Sequence, residues 1–105
     1  MTTVDLTDKT YKQFITSSPV VIIDMWAEWC GPCKQLSPII SSIATDYPQV
    51  KVGKVNVDEY PEIGKDNNIM SIPTILVFKD GKLEKTIVGA FPKAQLINKM
   101  SEYLQ

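Results

Sequence analysis

Val20-Val21-Ile22-Ile23-Asp24-Met25-Trp26-Ala27-Glu28-Trp29-Cys30-Gly31-Pro32-Cys33-Lys34 is the stretch whose pattern decides the fold. Val20 to Trp26 is β-branched and almost wholly apolar, as a central strand buried on both faces requires. Leu36, Ile39, Ile40, Ile43, Ala44 and Tyr47 then recur at steps of three, one, three, one and three, which makes one apolar helix face. That helix begins near Cys30 to Cys33, so a buried strand runs almost directly into a helix whose first turn carries two cysteines.

Outward from this unit, Val50 to Val57 reads as the next strand. A strand–helix–strand order with so short a crossover implies parallel pairing and a right-handed connection. Upstream, Tyr11, Phe14 and Ile15 sit at helical spacing between a Thr7-Asp8 start signal and a Ser17-Ser18-Pro19 stop. Downstream, a short helix is expected around Pro61 to Lys65. Thr74 to Phe78 and Leu83 to Val88 flank Asp80-Gly81, a hairpin signal that adds antiparallel strands. A last helix starting near Pro92 should bury Leu96, Ile97, Met100, Tyr103 and Leu104. The expectation is an α/β chain with a mixed sheet and helices on both faces. With no internal repeat, low-complexity tract or linker, residues 1–105 read as a single domain.

Composition excludes several classes of function. At 105 residues and 44% hydrophobic content, the chain can bury one core and is too short to suggest two. Eleven basic and twelve acidic residues are intermixed, giving a net charge of −1 and no basic stripe for nucleic acid. The aliphatic run Val20–Ile23 ends at Asp24, far short of the roughly 20 residues of a membrane-spanning helix. The N-terminus has no basic residue followed by an apolar stretch, so a cytoplasmic location is expected. Histidine is absent, which rules out Cys-His and Ser-His-Asp catalysis and histidine metal ligands.

The chemistry therefore rests on Cys30 and Cys33. Cys30 is expected at a helix N-terminus, where unpaired N–H groups and the macrodipole favour thiolate over thiol and lower its pKa. Cys33 lies one helical turn on, within disulfide reach, so that Cys30 can attack and Cys33 resolve. Gly31 is expected to allow a tight approach of chain to helix, and Pro32 lacks an N–H that the first turn leaves unpaired anyway. A zinc site would need carboxylates to complete two cysteines. A structural disulfide closing so short a loop would add only about 2 kcal/mol to a domain large enough not to need it. Idle core thiols are the remaining alternative.

Asp24 is the second signal, because an ionised carboxylate inside an apolar strand carries a large desolvation cost and its pKa should rise. It could exchange a proton with Cys33, or it could face a polar edge and accept backbone hydrogen bonds. Lys54, on the neighbouring parallel strand, could reach Asp24 directly or through water, or it could be an ordinary solvated lysine. Pro73 precedes a strand, where an X-Pro bond can be cis or trans. Trp29, in a connecting segment, leans to the surface.

These motifs, with Pro38, Ser71-Ile72-Pro73-Thr74, Phe78-Lys79-Asp80-Gly81 and Val88-Gly89-Ala90, occur in the order found in thioredoxins, and nearly the whole chain resembles that family. Met25, where many members carry Phe, and Asn67-Asn68 are small departures that leave the proposed chemistry untouched. The resemblance implies a thioredoxin fold with about five strands and about four helices. It implies Cys30 as nucleophile, Cys33 as resolving thiol, Asp24 as buried acid/base with Lys54 its neighbour, and a cis Ile72-Pro73 bond facing the disulfide. Trp29, Gly31, Pro32, Ile72, Pro73, Gly89 and Ala90 would form an apolar groove for an extended segment of a disulfide-containing protein. The resemblance further implies a monomer with no bound cofactor or metal, recycled by a thioredoxin reductase that uses NADPH. Disulfide-forming oxidants or isomerases of the same fold, and a non-enzymatic binding subunit, are the rival readings.

Overall fold

In the computed structural model, which describes residues 3–105, Val20–Trp26 forms the central strand β2. With β1 (Thr3–Asp5), β3 (Lys51–Asn56), β4 (Thr74–Lys79) and β5 (Lys82–Val88) it builds one sheet in the order β1-β3-β2-β4-β5. β1 and β2 both pair in parallel with β3, whereas β2–β4 and β4–β5 are antiparallel. The sheet is mixed, as the strand–helix–strand unit followed by a hairpin requires.

Period-two alternation divides the sheet into two buried faces. Ile22, Val52, Ile75, Val77 and Ile87 pack under Leu36, Ile40 and Ile43 of α2 (Gly31–Asp46), with Leu96 of α4 (Lys93–Lys99) and Leu104 of α5 (Ser101–Leu104). On the opposite face Val21, Ile23, Met25, Val55, Leu76 and Phe78 meet Tyr11 of α1 (Tyr11–Ile15), Ile63 of α3 (Pro61–Asp66) and Leu6. Each fully buried Leu or Ile contributes about 2 kcal/mol by area. The two faces therefore clamp β2 and leave its C-terminal end as the place from which function can project.

Several boundaries differ from expectation for identifiable reasons. β1 is only three residues long, too short to show a period, and exists because it pairs with β3. α1 starts at Tyr11 rather than at Thr7-Asp8, since Thr7 to Thr10 form a turn in which Thr10 Oγ1 accepts from the Thr7 N–H at 2.9 Å. β3 stops at Asn56 because the Asn56 carboxamide oxygen accepts from the Asp58 N–H at 3.0 Å and turns the chain. The last helix divides at Met100 (φ −107°, ψ 9°), making five helical segments rather than four. Ile97 and Tyr103, expected in the core, are half-buried, and Leu96, Met100 and Leu104 take the core positions. Asp80 and Gly81, with φ of 52° and 81°, form a two-residue hairpin turn joining Lys79 to Lys82.

Candidate functional site

The β2–α2 junction builds the site from backbone upward. Cys30 is the N-cap of α2, with extended φ and ψ of −89° and 103°, and its Sγ accepts from the Cys33 N–H at 3.2 Å. Pro32 occupies the first turn without wasting a donor. The two sulfurs form a disulfide between Cα atoms 5.2 Å apart. When that bond is opened, the same N–H and the positive end of a 16-residue helix face the Cys30 sulfur, an arrangement that favours its thiolate. Both cysteines are almost completely buried, while Trp29, Gly31 and Pro32 around them are exposed.

Gly31 does not serve the close approach expected of it. A Cβ added there would meet nothing within 4 Å, so no part of this chain needs glycine at that point. The space beside Gly31 instead opens outward, next to the sulfurs.

Behind the disulfide the groups are polar and enclosed. Asp24 is fully buried, and neither carboxylate oxygen has a hydrogen-bond partner, so it does not lie at a polar edge accepting backbone bonds. Burial raises its pKa from 3.8 to about 6, and the Lys54 charge partly offsets that rise. Lys54 is the direct partner of Asp24 across the parallel β2–β3 ladder, so both side chains leave the sheet on the α2 side. The Lys54 ammonium makes no ion pair with Asp24. It donates to Ser37 Oγ of α2 at 2.6 Å and lies 5.2 Å from the Trp26 ring centroid. Neither the direct contact nor the solvated lysine describes it. Trp26, Glu28, Cys33, Lys34, Ser37 and Lys54 line a crevice of about 240 Å³ that leads from solvent to the Cys33 side of the disulfide.

In front of the disulfide the groups are apolar and open. Trp29 is 70% exposed, and its indole N–H donates to Asp58 Oδ2 at 2.8 Å. Ile72-Pro73 is cis. Met25 pairs with Thr74, and Thr74 with Val88, so the registers carry Ile72, Pro73, Gly89 and Ala90 to the same end of the sheet as Trp29 and Cys30. The Gly89 N–H donates to the Pro73 carbonyl at 2.9 Å and ties these two segments together. A groove of about 340 Å³ runs from Trp29 past Ile72 to Pro61, Ile69 and the fully exposed Met70.

Sequence reading missed Ser37, Asp58 and Met70. Ser37 follows Cys33 by four residues and so shares its helix face, a signal the spacing carried. Asp58 orients Trp29 from the turn after β3, a contact that no local pattern announces. Among the described residues no cluster of three metal-ligating side chains occurs, and no helix is long and apolar enough to cross a membrane.

Comparison with known proteins gives a consistent result. The sequence model of the thioredoxin family matches residues 2–102. The chain is 46% identical over 101 residues to thioredoxin 1 of Synechococcus elongatus, covering 94% of each. It is 44% identical over 102 residues to the chloroplastic M-type thioredoxin of Spinacia oleracea, covering 95% of this chain and 56% of that one. The oxidised thioredoxin of Plasmodium falciparum, a solution structure, superposes with a TM-score of 0.89 at 32% identity, over 98% of this chain and 99% of that chain.

Proposed function

The chain belongs to the thioredoxin family, and on that premise we propose that it is a general reductant of protein disulfides in which Cys30 attacks and Cys33 resolves. Relatives of this kind are protein-disulfide oxidoreductases, and the Cys30–Cys33 disulfide is the oxidised form of such an exchange centre. They need no bound cofactor. The observation that carries the assignment of roles is the Cys30 sulfur at the helix N-cap, already receiving the Cys33 N–H, with the unpaired Asp24 carboxylate buried on the α2 face of β2 two residues before that strand ends.

In the reduced protein the Cys30 thiolate attacks one sulfur of a substrate disulfide. A new S–S bond forms, the substrate S–S bond breaks, and the second substrate sulfur leaves as thiolate. Asp24 takes the Cys33 proton, directly or along the crevice, and the Cys33 thiolate attacks the Cys30 sulfur. That step breaks the mixed disulfide, releases the reduced substrate and leaves Cys30–Cys33 oxidised, with two electrons transferred. The exposed Trp29, Gly31 and Pro32, with the half-buried Ile72 and continued by Pro73, Gly89 and Ala90, form the wall that holds an extended segment of the substrate around the attacked sulfur. The oxidised chain is returned to the dithiol by a thioredoxin reductase that draws on NADPH. It works as a monomer in the reducing environment of the cytoplasm.

The experiment is a redox titration of the Cys30–Cys33 pair, with turnover of a protein disulfide measured alongside. A potential near the roughly −270 mV typical of thioredoxins, with NADPH-linked turnover, is expected. A potential tens of millivolts higher, with net disulfide formation in the target, would make the chain an oxidant instead.

A further inference from the structure

Lys54 is held by α2 rather than by the carboxylate it faces. It leaves β3 opposite Asp24, crosses the mouth of the crevice over the Trp26 ring, and ends on Ser37 Oγ at 2.6 Å. Both Lys54 and Ser37 are half-buried, so this hydrogen bond fixes where a positive charge sits relative to a carboxylate that has no other partner. The other titratable groups around the crevice are Glu28 before the helix and Cys33 and Lys34 on it, while β4 brings only Ile75 opposite Asp24.

We propose that Ser37 is a positioning residue for the redox centre, its hydroxyl accepting from the Lys54 ammonium and pinning that charge over the crevice, where it sets how readily Asp24 ionises. The inference deepens the role given to Asp24 above and rests on that reading for its catalytic consequence, though not for its effect on the carboxyl itself. Without the hydroxyl, the flexible and strongly hydrated lysine swings toward water, and the attraction it exerts on Asp24 falls with distance. Asp24 then holds its proton to higher pH, and transfer from Cys33 follows. Burial raises the Asp24 pKa and the Lys54 charge partly offsets that rise; the offset is the quantity that Ser37 regulates.

The test is the Asp24 titration midpoint, read from its side-chain carboxyl ¹³C shift in the oxidised protein, where neither cysteine titrates. Ser37→Ala should raise the midpoint by at least about 0.3 pH unit, about a twofold change in the ionisation constant. Ser37→Thr, which keeps a hydroxyl, should restore it. In a Lys54→Met background Ser37→Ala should have no further effect. An unchanged or lowered midpoint in Ser37→Ala, or the same rise with Lys54 already removed, would overturn the proposal. The pH–rate profile of protein-disulfide reduction separates the two readings: a moved midpoint with an unmoved profile removes Asp24 from the mechanism and leaves Ser37 as its positioner.

Discussion

The disulfide separates two regions built on opposite principles. In front, Trp29, Met70 and the chain beside Gly31 are exposed and mostly apolar, and Trp29 is steadied by one hydrogen bond to Asp58. Behind, Asp24 is buried without a partner, and Lys54 and Ser37 share a hydrogen bond in a narrow crevice. Contacts in front act by area and shape, so changes there should be graded and should depend on the substrate. Contacts behind act by charge in a poorly solvated place, where losing one group alters protonation for every substrate.

The largest expected effect lies on the boundary between the two regions. Cys33→Ser should abolish steady-state turnover, by about 10³-fold or more, while leaving the first attack by Cys30 intact. Mixed disulfides with substrate should then accumulate on non-reducing gels. If none form, Cys30 is not the attacking sulfur and the division into a front and a rear loses its meaning.

Asp24→Asn probes the rear and should slow protein-disulfide reduction by about tenfold or more at neutral pH, whichever substrate is used. It should also stabilise the protein. Asp24 holds its proton to about pH 6 when folded, against an ordinary value of 3.8, so between these values the folded chain binds more protons than the unfolded one. The contribution of Asp24 to stability is therefore greatest below 3.8, falls as the pH rises through about 6, and is level above it. The whole loss is about 3 kcal/mol. Urea unfolding of the oxidised Asp24→Asn protein should show a gain approaching that size at alkaline pH and little gain in acid. A gain independent of pH would mean that the buried carboxyl is not the source of the slope.

Trp29→Ala probes the front and should be the gentlest of these changes. The KM for a protein disulfide should rise a few-fold, with little change for a small aromatic disulfide that does not fill the groove. Equal losses for both substrates would show that Trp29 serves the chemistry rather than recognition.

How much was legible in the sequence follows the same division. β2, α2 and the β4–β5 hairpin were readable because long periodic runs and an Asp-Gly turn are local signals. β1 was not, since three residues show no period and become a strand only by pairing with β3. The break at Met100 and the half-burial of Ile97 and Tyr103 depend on how α4 and α5 settle on the core, which the amphipathic pattern does not encode. Cys30 and Cys33 announced themselves by spacing and position, and Asp24 by its incongruity in an apolar strand. Lys54 could be placed on the right strand, yet its partner could not, because Ser37 stands seventeen residues away on another element.

The sequence by itself determined the mixed α/β architecture, the pair of thiols at a helix start and the presence of an ionisable group inside a buried strand, since each is written in neighbouring residues. Only the tertiary structure decided that Asp24 goes without a hydrogen bond, that Lys54 rests on Ser37 and Trp26, that Trp29 leans on Asp58, and that Gly31 borders open space. Those outcomes depend on which side chains from distant segments arrive within a few ångströms of each other. That is a property of strand register and helix packing, not of local pattern.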